Sequence, residues 1–127
     1  MSDPTRILYV DDESDIRLIV QMALKLDPNF DVRTAESGDA ALNLLTTDGW
    51  RPDLAMIDVM MPGMSGPELL GILRADAHTA SIPVVFVTAR ARPEDVDEYL
   101  AAGAFGVITK PFDPLKLAPQ VRDILSD

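Results

Sequence analysis

Five short apolar runs alternate with longer stretches in which apolar residues recur at helical spacing, the pattern of β-strands linked by crossover helices into a parallel sheet. The runs are Arg6–Val10, Phe30–Ala35, Leu54–Asp58, Val84–Thr88 and Phe105–Thr109. The first, third and fourth are almost continuously apolar, as strands must be when both faces of their sheet are covered, so these three are expected at its centre. The first intervening segment sets Ile16, Ile19, Val20, Ala23 and Leu24 on one helical stripe directed at the sheet. Ser37 can cap a second helix bearing Ala41, Leu44 and Leu45, and Ser65 with Glu68 forms a capping-box signature with Pro67 in the first turn. Pro93 opens a fourth helix with Val96, Tyr99 and Leu100 inward, followed by Gly103. Asp113 and Pro114 open a fifth with Leu117, Val121, Ile124 and Leu125 inward. Pro119 lies inside that helix, where a lost donor and a clash with the carbonyl four residues back predict a kink or a restarted turn. Right-handed crossovers from a chain that starts in mid-sheet give a three-layer, doubly wound α/β domain with its ligand site at the carboxyl ends of the strands.

Length and composition narrow this further. A chain of 127 residues, 47% apolar and 25% charged, accommodates one core, so a single domain over residues 1–127 is expected. The absence of cysteine excludes a disulfide scaffold, a thiolate-ligated metal and a cysteine nucleophile. The opening MSDPTRILYVDDE has no basic segment followed by an apolar one, and no run reaches membrane-spanning length, so a cytoplasmic location is expected. A net charge of −10 repels phosphate backbones and anionic membranes, which disfavours direct contact with DNA or lipid.

Polar residues stand where the strands end: Asp11-Asp12-Glu13 after the first, Asp58 at the third, Thr88-Ala89 at the fourth and Thr109-Lys110-Pro111 at the fifth. Taken singly each has an ordinary explanation, Lys-Pro as turn chemistry and the acidic pair as a favourable helix N-terminus. Together they are four unlike groups on the one edge where this architecture binds ligands. Clustered carboxylates repel one another unless a cation offsets them, and an all-oxygen set suits Mg²⁺ better than zinc or iron. A strand-tip carboxylate beside such an ion can attack a phosphoryl donor, which makes Asp58 the candidate nucleophile, with Lys110 and Thr88 facing the phosphoryl oxygens.

Over almost its whole length the chain resembles the receiver domain of bacterial two-component response regulators, through YVDDES, MIDVMMPGMSG, VFVTAR and GVITKPFDP in that order. The resemblance implies a flavodoxin-like (βα)5 sheet of order 2-1-3-4-5. It also implies that Asp58 accepts a phosphoryl group from a phosphohistidine of a sensor kinase or histidine phosphotransfer protein. Mg²⁺ would be held by Asp12 directly, Asp11 mainly through water, Asp58 by one oxygen and Met60 by its backbone carbonyl. Lys110 would pair with phosphoryl oxygens, Thr88 would move inward to them with the Ala89 N–H as a further donor, and the Lys110-Pro111 bond is expected to be cis. The family's aromatic switch residue, three positions before the lysine, is replaced by Val107, which has no ring to rotate; Phe105 is a possible partial substitute. Met60 and Arg90 are expected to flank the approach of a hydrolytic water. Such a domain catalyses its own phosphorylation and slow autodephosphorylation and signals through a downstream protein, here as a monomer or weak dimer. A stand-alone receiver is the leading expectation, an excised piece of a longer chain the open alternative. The rival readings are a phosphorylation-independent pseudo-receiver, a phosphatase and a flavodoxin-like cofactor binder; the last lacks a glycine-rich loop after the first strand. His78 is read as a surface residue.

Overall fold

A computed structural model of the protein describes residues 3–47 and 49–126. Strands β1 (Thr5–Val10), β2 (Phe30–Ala35), β3 (Leu54–Asp58), β4 (Val84–Thr88) and β5 (Gly106–Thr109) alternate with helices α1 (Ser14–Leu24), α2 (Gly38–Thr47), α3 (Gly66–Ala75), α4 (Pro93–Ala101) and α5 (Pro114–Leu125). The strands pair in parallel in the order β2-β1-β3-β4-β5, so the three most apolar runs are the interior ones, as expected. Every residue of β3 and β4 is buried.

Side chains of alternate strand residues go to opposite faces, and two apolar layers result. Leu8, Val10, Ile57 and Phe86 pack with Leu69 and Leu73 of α3 and Tyr99 of α4. Ile7, Tyr9, Met56 and Val87 pack with Val20 and Leu24 of α1 and Val121 of α5. Each fully buried side chain of this size contributes about 1.5–3 kcal/mol, so the strand ends are displayed from a rigid frame.

Helix starts follow their signals. Ser37 Oγ accepts from the Ala40 N–H at 3.0 Å, the Ser65–Glu68 capping box is complete, and the Asp113 side chain accepts from the Leu115 N–H. Three expectations are corrected. Ile19 is 43% exposed, because the buried stripe of α1 narrows to Val20, Ala23 and Leu24 and leaves Ile19 at the rim of a groove with Phe112. Leu100 is 46% exposed, since α4 turns Tyr99 inward against Phe86 instead, with ring centroids 5.3 Å apart. Helix α5 runs unbroken through Pro119, so no turn restarts there; the proline lies on the exposed side.

Candidate functional site

The parallel register brings the ends of β1, β3, β4 and β5 to one edge. Beyond the strands the ladder continues through Asp11 N–H to the Ala35 carbonyl (3.1 Å), Val59 N–H to Val87 (3.3 Å) and Lys110 N–H to Thr88 (2.9 Å). These bonds hold the backbone of the polar residues as firmly as the strands themselves. Asp11 and Asp58 are buried, Asp12 is exposed, and carboxylate oxygens of all three lie within 4.8 Å of one another. Lys110 Nζ stands 3.4 Å from Asp11 Oδ2 and 3.4 Å from Asp58 Oδ1, a single ammonium shared by two acids. The Lys110-Pro111 peptide is cis, as expected.

Electrostatics record the crowding. Burial, and then the neighbouring Asp11 charge, push the Asp58 carboxyl above its ordinary range, with Lys110 and the Met60 backbone N–H pulling the other way. Burial alone would lower Lys110, but the facing Asp11 and Asp58 carboxylates outweigh it and hold the ammonium protonated more strongly than usual. Thr88 is buried at the tip of β4, and its Oγ1 accepts from the Arg90 N–H at 3.0 Å. The Arg90 carbonyl in turn accepts from the Tyr99 hydroxyl at 3.2 Å, tying the loop after β4 to α4.

Local chain geometry shapes the rim. Gly63 adopts a φ of +75°, open to glycine at little cost. At Gly66 a Cβ would come within 2.5 Å of the Asp58 carbonyl oxygen, so only glycine lets α3 start this close to the strand that carries Asp58. Met60 is 68% exposed and Arg90 is exposed, both in the loops that leave the site. An open cavity of about 430 Å³ borders it, lined by Ile16, Ile19, Ala89, Lys110, Pro111, Phe112 and Pro114.

Asp11, Asp12, Asp58 and Lys110 are thus brought together, and Thr88 stands at the end of the strand beside Asp58. Phe105 lies just before β5, its N–H bonded to the Val84 carbonyl at 2.7 Å, and is 50% exposed, whereas Val107 is half-buried against the layer containing Tyr99. His78 is exposed in the loop after α3, far from this edge in the chain's topology. One site residue escaped the reading of the sequence. Tyr9, fully buried on β1, donates its hydroxyl to Asp11 Oδ2 at 2.6 Å. Its burial, and then the Asp11 hydrogen bond, push the phenol upward, so it acts as a donor at any ordinary pH. The available signal was a tyrosine in a strand covered on both faces, whose hydroxyl must find a partner.

The donor set fits a hard divalent ion: the cluster is three carboxylates with no nitrogen or sulfur ligand in it, and the single Lys110 leaves two of the three negative charges unbalanced. Comparison with known proteins finds similarity to one family. Residues 7–122 match the sequence model of the response regulator receiver domain. The phosphate regulon transcriptional regulatory protein PhoB of Klebsiella pneumoniae is 41% identical over 94% of this chain and 51% of its own length. The transcriptional regulatory protein CseB of Streptomyces coelicolor is 38% identical over 98% of this chain and 51% of its own length. The chain therefore spans about half the length of these curated relatives. Among solved structures, the chemotaxis response regulator CheY4 of Vibrio cholerae superposes with a TM-score of 0.85 at 32% identity, covering 95% of this chain and 98% of that one. A putative response regulator from Chloroflexus aurantiacus gives 0.85 at 30%, covering 98% and 100%.

Proposed function

Since the chain belongs to the response regulator receiver domain family, we propose that Asp58 is its phosphoacceptor and that residues 1–127 form one receiver unit. The supporting observation is the convergence of Asp11, Asp12, Asp58 and Lys110 at one sheet edge, with Asp58 held above its ordinary carboxylate range by burial. Asp11, Asp12, Asp58 and the Met60 carbonyl would hold Mg²⁺, which when bound screens charge between the acids and an incoming phosphoryl group. The remaining work falls to the chain. Asp58 presents a carboxylate oxygen to phosphorus, Lys110 faces a phosphoryl oxygen in place of its present carboxylate partners, and Thr88 with the Ala89 N–H offers neutral donors to another.

As a receiver the domain takes its phosphoryl group from a kinase partner and passes the signal to a downstream target. We assign the donor to a phosphohistidine on a sensor kinase or phosphotransfer protein. The apolar cavity beside Lys110, lined in part by the exposed Ile19 of α1, is where that protein would seat its histidine next to Asp58. The net charge of −10 disfavours direct DNA contact by this domain. No helix among the described residues is long and apolar enough to cross a membrane. As a receiver fed by a phosphohistidine, the domain is assigned to the cytoplasm. The test is intact-mass analysis after incubation with acetyl phosphate and Mg²⁺. The native chain gains one phosphoryl group and Asp58→Asn gains none; equal gain by both removes Asp58 from the role.

A further inference from the structure

We propose that Tyr9 is a positioning residue for phosphoryl transfer: its hydroxyl satisfies the buried Asp11 carboxylate, so that Lys110 is free to leave Asp11 for the phosphoryl group on Asp58. This rests on the reading of Asp58 as phosphoacceptor. The ring of Tyr9 packs in the layer of Ile7, Met56, Val87 and Ile108, a task phenylalanine performs equally well. The hydroxyl is what tyrosine adds, and it is spent on a site carboxylate.

The oxygens of Asp11 are unequally served. Oδ1 accepts from the Glu13 N–H at 2.9 Å. Oδ2 accepts from Tyr9 at 2.6 Å, while Lys110 Nζ stands off at 3.4 Å. Charge-assisted N–H···O bonds close to about 2.7–2.9 Å when nothing opposes them, so the phenol and not the ammonium is the tight partner. Asp11 is wholly buried, and a buried carboxylate that loses a donor claims the nearest replacement. Without the Tyr9 hydroxyl that replacement is Lys110.

During transfer the bond from phosphorus to the donor's leaving atom, the imidazole nitrogen of a phosphohistidine or the acetate oxygen of acetyl phosphate, breaks with its electron pair going to the leaving group, as the bond to an Asp58 oxygen forms. Negative charge stays on the phosphoryl oxygens, and Lys110 must turn from Asp11 toward them. Tyr9 moves no proton; it keeps Asp11 satisfied while the ammonium departs.

The experiment compares the native chain, Tyr9→Phe, Lys110→Ala and the double variant, phosphorylated by acetyl phosphate with Mg²⁺ and followed by intact mass. Tyr9→Phe lowers the maximal rate about tenfold with the half-saturating acetyl phosphate unchanged, the size expected for one hydrogen bond to a charged group. In the Lys110→Ala background the same substitution changes the rate less than about twofold, since there is no lysine left to sequester. A second arm labels the metal-free proteins with acetic anhydride and reads each lysine by peptide mass. In Tyr9→Phe, Lys110 reacts several-fold more slowly while Lys25 and Lys116 keep their native rates. Equal fractional loss in both lysine backgrounds, or unchanged labelling of Lys110, overturns the proposal. A native chain that takes up no phosphoryl group at Asp58 instead overturns the phosphoacceptor reading, and the labelling arm then decides on Tyr9 alone.

Discussion

The two edges of the sheet treat charge in opposite ways. At the amino edge Arg74, Arg51 and Arg122 each have close hydrogen-bond partners. Arg74 Nη1 donates to the carbonyls of Ala80 (3.1 Å) and Ile82 (2.8 Å), and its Nη2 donates to Gly103 (3.1 Å), closing the loops that enter β4 and β5. Arg51 donates to the His78 carbonyl and, at 2.7 Å, to Ser81 Oγ. Arg122 pairs with Asp27 at 2.7 Å and stacks on Phe30, 4.5 Å from its centroid. At the carboxyl edge three acids converge on one lysine that bonds neither of its two partners closely. One edge is satisfied and stabilises the fold; the other is left unbalanced, an imbalance that the proposed metal ion and phosphoryl group would exploit.

Substitutions separate the two edges, the largest effect being at the satisfied one. Arg74→Ala strips a donor from three carbonyls and costs about 2–3 kcal/mol, read by urea unfolding, with no change in the rate of phosphorylation by acetyl phosphate. Adding Mg²⁺ at ten times its dissociation constant stabilises the native chain by about 1.4 kcal/mol, a thermal shift of a few degrees that Asp12→Ala abolishes. In metal-free buffer near neutral pH, Asp58→Asn raises stability by roughly 1 kcal/mol, because it removes a buried carboxylate that its surroundings disfavour.

The smallest effect is a pair of opposed pH dependences. The Asp58 pKa is raised by burial and then by Asp11, so its contribution to metal-free stability is full below about pH 3.9, the unfolded value. That contribution fades as pH climbs through the raised native value. Asp27 is held low by the Arg122 hydrogen bond and then by the Asn29 N–H, so its contribution is present above the unfolded value and fades as pH falls through the native one. Measured against Asp58→Asn, the native chain loses relative stability on going from pH 4 upward; measured against Asp27→Asn it loses relative stability on going below pH 4. Slopes of the same sign at the two residues contradict the contrast between edges.

Legibility of the structure in the sequence tracks how local each determinant is. The central place of β1, β3 and β4 and the gathering of Asp11, Asp58, Thr88 and Lys110 are readable because apolar runs mark strands and parallel strands send their ends to one edge, while the full strand order came with the family resemblance. Ser37, Ser65 and Asp113 were readable as caps because each bonds a backbone N–H within three residues. The exposure of Ile19 and Leu100 was not, since helical spacing gives a face but not how much of it a neighbour covers. The 50% exposure of Phe105 was not legible either, since alternation gives a face of β5 but not whether anything covers its first residues. Arg74 is not legible because its carbonyl partners, Gly103 among them, come together only after distant loops are folded, whereas Tyr9 lies two residues from Asp11 but its hydroxyl carries no motif that names that carboxylate as its partner.

The account stands on carboxylates from separate strands sharing a single cation-binding point with Lys110. A crystal structure of the chain with Mg²⁺ and beryllium fluoride tests this most directly. The account predicts the fluoride adduct on an Asp58 oxygen, the ion between Asp12 and Asp58, and Lys110 Nζ turned from Asp11 to a fluorine atom. Asp12, Asp58 and Lys110 directed away from one another, or the adduct on another residue, would contradict it.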